Sequence, residues 1–207
     1  MPKIAAVVVL AALLSGCAAS LKQVENLRLC SGSQCEKAER SYFEREELIV
    51  RVFEMLKPHE DNDVKICEAN PETRECIGDV TYFWLVGLLP ARGTVQGVKL
   101  QNVSMNLPES QLTYFTSFNV TLMRVPVRCI PAETTLSLLN MNELRIESLS
   151  TYCNWAVIGN LALTFLMAID HVDFDRGILA GRYDFGGGGF PPNAGGGSGY
   201  AALQFKK

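Results

Sequence analysis

From Leu112 to Met123 apolar and polar side chains take turns: Tyr114, Thr116, Phe118, Val120 and Leu122 fall on one parity, and Ser117, Asn119 and Thr121 on the other. A period of two puts the first set on one face of a strand and the second on the opposite face, as in an antiparallel strand with one side in a core. Other β-branched and aromatic runs, Val80 to Val86, Val95 to Leu107, Thr134 to Ser148 and Ala156 to Ile158, are separated by Gly, Pro and Asn and read as strands or strand pairs. Within Thr134 to Ser148 the positions Leu136, Leu139, Leu144 and Ile146 fit neither period, so a short helix stays open there. The most apolar segment, Trp155 to Ile169, has fifteen residues, short of the roughly 20 that a membrane helix needs. Its Gly159-Asn160 pair suits a tight turn, so two core strands are predicted. Ile178 to Phe185 and Gly199 to Phe205 form a last pair, joined by a loop from Gly186 to Ser198. Seven to nine short strands at this spacing specify a mainly β chain, an antiparallel β-sandwich or small barrel.

The first residues are not part of that fold. Lys3 precedes Ile4 to Leu14, a run drawn only from Ile, Ala, Val and Leu, which is the charged and apolar plan of an export signal. Leu14-Ser15-Gly16-Cys17, at the end of that run, resembles the lipobox of bacterial lipoproteins. The resemblance implies that residues 1–16 are removed and that Cys17 becomes the lipid-modified first residue of the mature chain. Residues 17–29 are then a lipidated tether, and residues 30–207 a single β-rich domain. Helix and cysteine loops are expected in 30–78 and the sandwich in 79–207. Ala18 stands where many lipoproteins retained on the inner membrane have Asp, so the analogy implies the outer membrane, facing the periplasm.

Export changes the meaning of the cysteines. Apart from Cys17 there are six, Cys30, Cys35, Cys67, Cys76, Cys129 and Cys153, and an even set in an oxidising compartment implies three disulfides. Sequential pairing is expected, because Cys30 with Cys35 and Cys67 with Cys76 each enclose a short polar loop. The spacings C-x4-C and C-x8-C match no paired C-x2-C zinc knuckle. Between the first two cysteine loops lies Ser41-Tyr42-Phe43-Glu44, a capping box, with Leu48, Ile49, Val52, Phe53 and Leu56 at helical spacing. An amphipathic helix from Ser41 to Lys57 is predicted, stopping at Pro58 and covering one end or edge of the β structure.

With 19 basic and 22 acidic side chains in the whole chain, no strongly basic face is implied, and nucleic acid is not an expected partner. His171, Asp173 and Asp175 would share one face of a strand and are a weak candidate for a divalent cation. The further oxygen ligands of a calcium loop are missing from Ile178-Leu179-Ala180-Gly181. His59 with Glu60, Asp61 and Asp63 reads as a solvated turn. Gly186 to Gly189 and Gly195 to Gly197 lack the Lys-Ser/Thr of a phosphate loop, and no Gly-x-Ser-x-Gly elbow is present. Phe190, alone among glycines and prolines, is the candidate partner contact. No cofactor and no catalysis are expected. The expected partners are the membrane, through the N-terminal lipid, and an envelope protein. The expectation is therefore an interaction or assembly protein, or alternatively a binding protein for a small apolar or glycan ligand.

Overall fold

The computed structural model describes residues 27–37, 42–86, 89–139, 143–155, 159–189 and 195–205. Its elements run β1 (Arg28–Ser31), β2 (Gln34–Lys37), α1 (Tyr42–Leu56), a 3-10 turn (Lys57–His59), β3 (Asp63–Ala69), β4 (Cys76–Gly78), β5 (Val80–Val86), β6 (Leu89–Asn106) and β7 (Gln111–Leu122). β8 (Val125–Cys129), β9 (Ala132–Leu139), β10 (Glu143–Trp155), β11 (Gly159–Asp173), β12 (Ile178–Gly189) and β13 (Gly195–Gln204) follow. The chain is mostly β, an eight-stranded antiparallel closed barrel with extra strands, one short helix and three disulfides.

The barrel closes because β3 pairs with both β13 and β6, completing the ring β3, β6, β7, β9, β10, β11, β12, β13. Closure leaves no free edge in the ring. Two of the strand positions are shared. β8 pairs with the last residues of β7 and with β10 beside Cys153, and β9 continues along the same two neighbours after Ile130 and Pro131. Likewise β5 resumes the path of β3 between β13 and β6, after an excursion through β4. β3 is thus an integral barrel strand, so the barrel ring begins at residue 63, ahead of the boundary at 79 expected for the sandwich.

Alternation along β7 is as the sequence predicts: Leu112, Tyr114, Thr116, Phe118, Val120 and Leu122 are buried, while Thr113, Ser117, Asn119 and Thr121 lie on the other parity. Rings from several strands meet in the interior, with Phe118 5.7 Å from both Phe165 and Phe185, and Phe185 5.4 Å from Tyr82. On β7 the outward parity is Thr113, Phe115, Ser117, Asn119 and Thr121, polar apart from Phe115. Among the described residues no helix is long and apolar enough to cross a membrane.

α1 buries Leu48, Ile49, Val52 and Leu56 over one end of the barrel, with Phe53 packed at their margin. That end carries the β6–β7, β9–β10 and β11–β12 connections. Arg45 donates from Nη2 to the Leu138 carbonyl at 3.2 Å, and Lys57 Nζ donates to the Val103 carbonyl at 3.1 Å. Pro58 does not end the structure abruptly. The α-helix stops at Leu56 and tightens into the 3-10 turn containing Pro58, where the missing proline donor is not needed. Ser41, the expected cap, lies outside the described residues.

Thr134 to Ser148 contains β9 and the start of β10, the strand pair expected there, and its described residues form no helix. Two other strand expectations need correction. Gly159-Asn160 is not a turn: Gly159 pairs with Trp155 and Asn160 with Asn154, so both belong to β11. The glycines expected in a loop from Gly186 to Ser198 extend β12 and β13, with Gly186 opposite Gly196 and Gly187 opposite Gly195. Having no side chain, they are permitted rather than required to leave the sheet, and their pairing with β11 and with each other satisfies the backbone. From residue 79 onward the described residues form nine strands, β5 to β13, within the expected seven to nine, and β1 to β4 precede them.

Candidate functional site

The three disulfides join Cys30 to Cys35, Cys67 to Cys76 and Cys129 to Cys153, the sequential pairing that the loop lengths suggested. Two of them sit where the barrel wall is interrupted. Cys67–Cys76 closes the excursion between β3 and β5, and Cys129–Cys153 pins the point where β8 gives way to β9. Cys30–Cys35 ties the β1–β2 hairpin, whose first strand runs parallel to β11 with Arg28 opposite His171 and Cys30 opposite Asp173. Cys17 and Phe190 lie outside the described residues. The side chains of Trp84 and Trp155 are likewise not described.

The predicted row of His171, Asp173 and Asp175 does not form one face. β11 ends at Asp173, and Asp175 belongs to the turn that follows. The Asp173 carboxylate accepts the backbone N–H groups of Asp175 at 3.1 Å and Arg176 at 2.9 Å, which shapes that turn. Asp175 accepts the backbone N–H of Gly32 and so anchors the β1–β2 hairpin. His171 shares the parity of Asp173 on β11 and lies against the hairpin, with Nε2 3.6 Å and Nδ1 3.7 Å from the Cys30 sulfur. Among the described residues Cys30, Cys35 and His171 are close enough together to hold a metal ion, but the two sulfurs bond to one another, which removes their thiolates as ligands.

His171 is opposite Ala180, which belongs to a second, outward layer. Cys67, Ala69, Ile178, Ala180, Tyr200 and Ala202 pack together on the outer side of β3, β12 and β13. The Arg74 guanidinium lies 5.3 Å from the Tyr200 ring, and the Tyr200 hydroxyl donates to Asp170 Oδ1 at 2.5 Å. Burial lowers the His171 pKa below the ordinary imidazole value, and the Arg74 charge lowers it further, against the opposing pull of Asp173 and Asp170. Burial and the bonded Asp170 carboxylate raise the pKa of Tyr200. His171 is a buried ring packed beside a disulfide.

A groove of about 730 Å³ lies between α1 and the barrel end, lined by Arg51, Glu54, His59, Asn62, Phe174 and Phe205 among others. Arg51 stands 4.0 Å over the Phe174 ring, and the His59 and Phe205 rings are 5.6 Å apart. His59 is therefore more than part of a solvated turn. Glu60 is held below the usual carboxylate range by its hydrogen bond with Lys57, 2.5 Å away, and by the Val103 N–H. Sequence reasoning missed the groove because its walls come from residues 51–63, 174–177 and 205, which no local pattern connects. Compared with known protein families, curated proteins and solved structures, the chain matches none.

Proposed function

We propose that this chain is a lipid-anchored periplasmic interaction or assembly protein of the bacterial cell envelope, held on the outer membrane through Cys17 and without a catalytic role. Cysteine arithmetic carries the reading. Six of the seven cysteines are bonded in three pairs, and the seventh, Cys17, directly follows Leu14-Ser15-Gly16 at the end of an apolar leader. Three disulfides suit an oxidising compartment, and acyl chains on a cysteine make a tether stable at about 0.8 kcal/mol per buried methylene. The ring-filled barrel interior supports a role for surfaces over one for an internal ligand, and Phe190 is the partner contact proposed. The protein with Cys17→Ser should be released from membranes by a high-salt wash that leaves the parent attached. The mature parent should begin at Cys17 and carry acyl chains by intact mass. A mature N-terminus at Ser20 without lipid would refute the anchor.

A second reading is favoured by the groove beside α1, whose mixture of rings with Arg51 and His59 suits a small ligand bearing both apolar and polar faces, such as a glycan. Chemical-shift changes confined to Arg51, Phe174 and Phe205 on titration with oligosaccharides would support it, and unchanged shifts would remove it.

A further inference from the structure

The four connections β5–β6, β7–β8, β10–β11 and β12–β13 all lie at the end of the barrel opposite α1. Their composition is unlike that of the helix end. Counting four strand residues on either side of each connection, together with the connecting residues, there are three arginines, Arg92, Arg124 and Arg128, and no Asp, Glu or Lys. The helix end carries both signs, with Glu46, Glu47, Glu54, Glu60, Asp61, Asp63 and Glu109 beside Arg45, Arg51, Lys57 and Arg176. Large apolar side chains at the arginine end face water: Phe83 is 57% exposed, Met123 59%, Val125 47% and Tyr152 56%. Register brings them near the arginines. Phe83 is opposite Arg92, the Met123 N–H donates to the Arg92 carbonyl at 3.0 Å, and Arg128 is opposite Asn154.

We propose that this end of the barrel is a docking surface for an anionic phospholipid bilayer, entered by Phe83, Met123, Val125 and Tyr152 and held by Arg92, Arg124 and Arg128. Apolar and aromatic side chains rimmed by cations and free of carboxylates suit a headgroup layer, where rings sit at the interface and arginines meet phosphate. A protein partner would not by itself call for three cations without one acid. The surface does not depend on a lipid at Cys17, although the anchor proposed above is compatible with it. Ten residue steps from Cys17 to Leu27 span at most about 33–36 Å. The barrel wall from β1 to this end is roughly 30 Å, from about 3.3 Å per residue and a strand tilt of roughly 40°. Tether and docking end can therefore meet the same bilayer.

The chain offers its own probe, since both of its tryptophans, Trp84 and Trp155, fall on strands next to these connections. The mature chain from residue 17, with Cys17→Ser, is mixed with vesicles of phosphatidylcholine alone or of phosphatidylcholine with phosphatidylglycerol, part of the lipid brominated on its acyl chains. Tryptophan quenching is expected on the anionic vesicles. It should fall as salt rises from about 0.01 M to 1 M, which shortens the screening length from about 30 Å to about 3 Å. Reversing Arg92, Arg124 and Arg128 to Glu should weaken binding by on the order of a hundredfold. Phe83→Asp with Met123→Asp should abolish quenching, and Phe115→Asp, an exposed ring farther down β7, should leave it intact. Absence of quenching by the anionic vesicles overturns the proposal, as does equal quenching by neutral ones, and these comparisons need no folded variant. Binding that survives charge reversal, or that is lost equally in Phe115→Asp, also overturns it. None of these outcomes bears on acylation of Cys17, which the mass of the mature protein decides.

Discussion

Gly181 stands opposite Ile169, beside the irregularity where β11 shifts register between Ile169 and His171. A Cβ there would lie 2.0 Å from the Ala168 carbonyl oxygen and 2.6 Å from Ile169 Cα, and backbone cannot step aside as a side chain can. Gly181→Ala should therefore cost about 3 kcal/mol, at the upper end for overpacking, read as a lower urea midpoint. Gly186→Ala is the contrast, because its Cβ would meet only the Thr164 hydroxyl at 3.1 Å, and its effect should stay within about 1 kcal/mol. His171 supplies a pH-dependent counterpart. Its folded pKa is lowered, so the unfolded chain takes up a proton that the native state refuses as pH drops. The stability it allows is complete above about 6.5, the ordinary imidazole value, and is lost as pH falls from there toward the folded pKa. Urea midpoints at pH 7 and pH 5 should differ more for the parent than for His171→Gln. An equal drop in both would assign the acid sensitivity to carboxylates. Neither residue was legible in this role from sequence: Gly181 is one glycine among many, and His171 was read by its strand neighbours when its contact is with Cys30, 141 positions earlier.

Among elements, the cysteine pairs were the most legible feature, since loop length alone favours sequential closure. The helix was legible too, its apolar stripe matching the buried Leu48, Ile49, Val52 and Leu56. The loop between β12 and β13 was read too long, because glycine is a turn signal when neighbours are unknown, yet Gly186 and Gly196 find backbone partners in a sheet. The same reasoning ranks the disulfides. In the chain-entropy model a bond closing 24 residue steps, as Cys129–Cys153 does, contributes about 3.5 kcal/mol, against about 2.7 for Cys67–Cys76 and about 2.2 for Cys30–Cys35. Paired Cys→Ala variants should lose urea stability in that order. A larger loss from the Cys30–Cys35 pair would show that its tie to His171 and Asp173 outweighs loop length.

At the scale of the whole molecule, the mainly β class and the even cysteine set followed from the chain alone, because alternation, turn residues and cysteine number are local or additive properties. The end-to-end asymmetry did not. Arg92, Arg124 and Arg128 lie in separate strands or turns with a near-neutral chain around them, and only the antiparallel order of the strands brings their connections to one end. Closure was equally out of reach, since it rests on β3 pairing with both β13 and β6, contacts of long sequence separation that no window contains. The sequence by itself determined that the chain is mainly β and which cysteines can bond, through side-chain period and loop entropy. Only the tertiary structure decided that the sheet closes and that one end is apolar and cationic while the other carries both signs of charge, because strand order and register are set by long-range packing and backbone pairing.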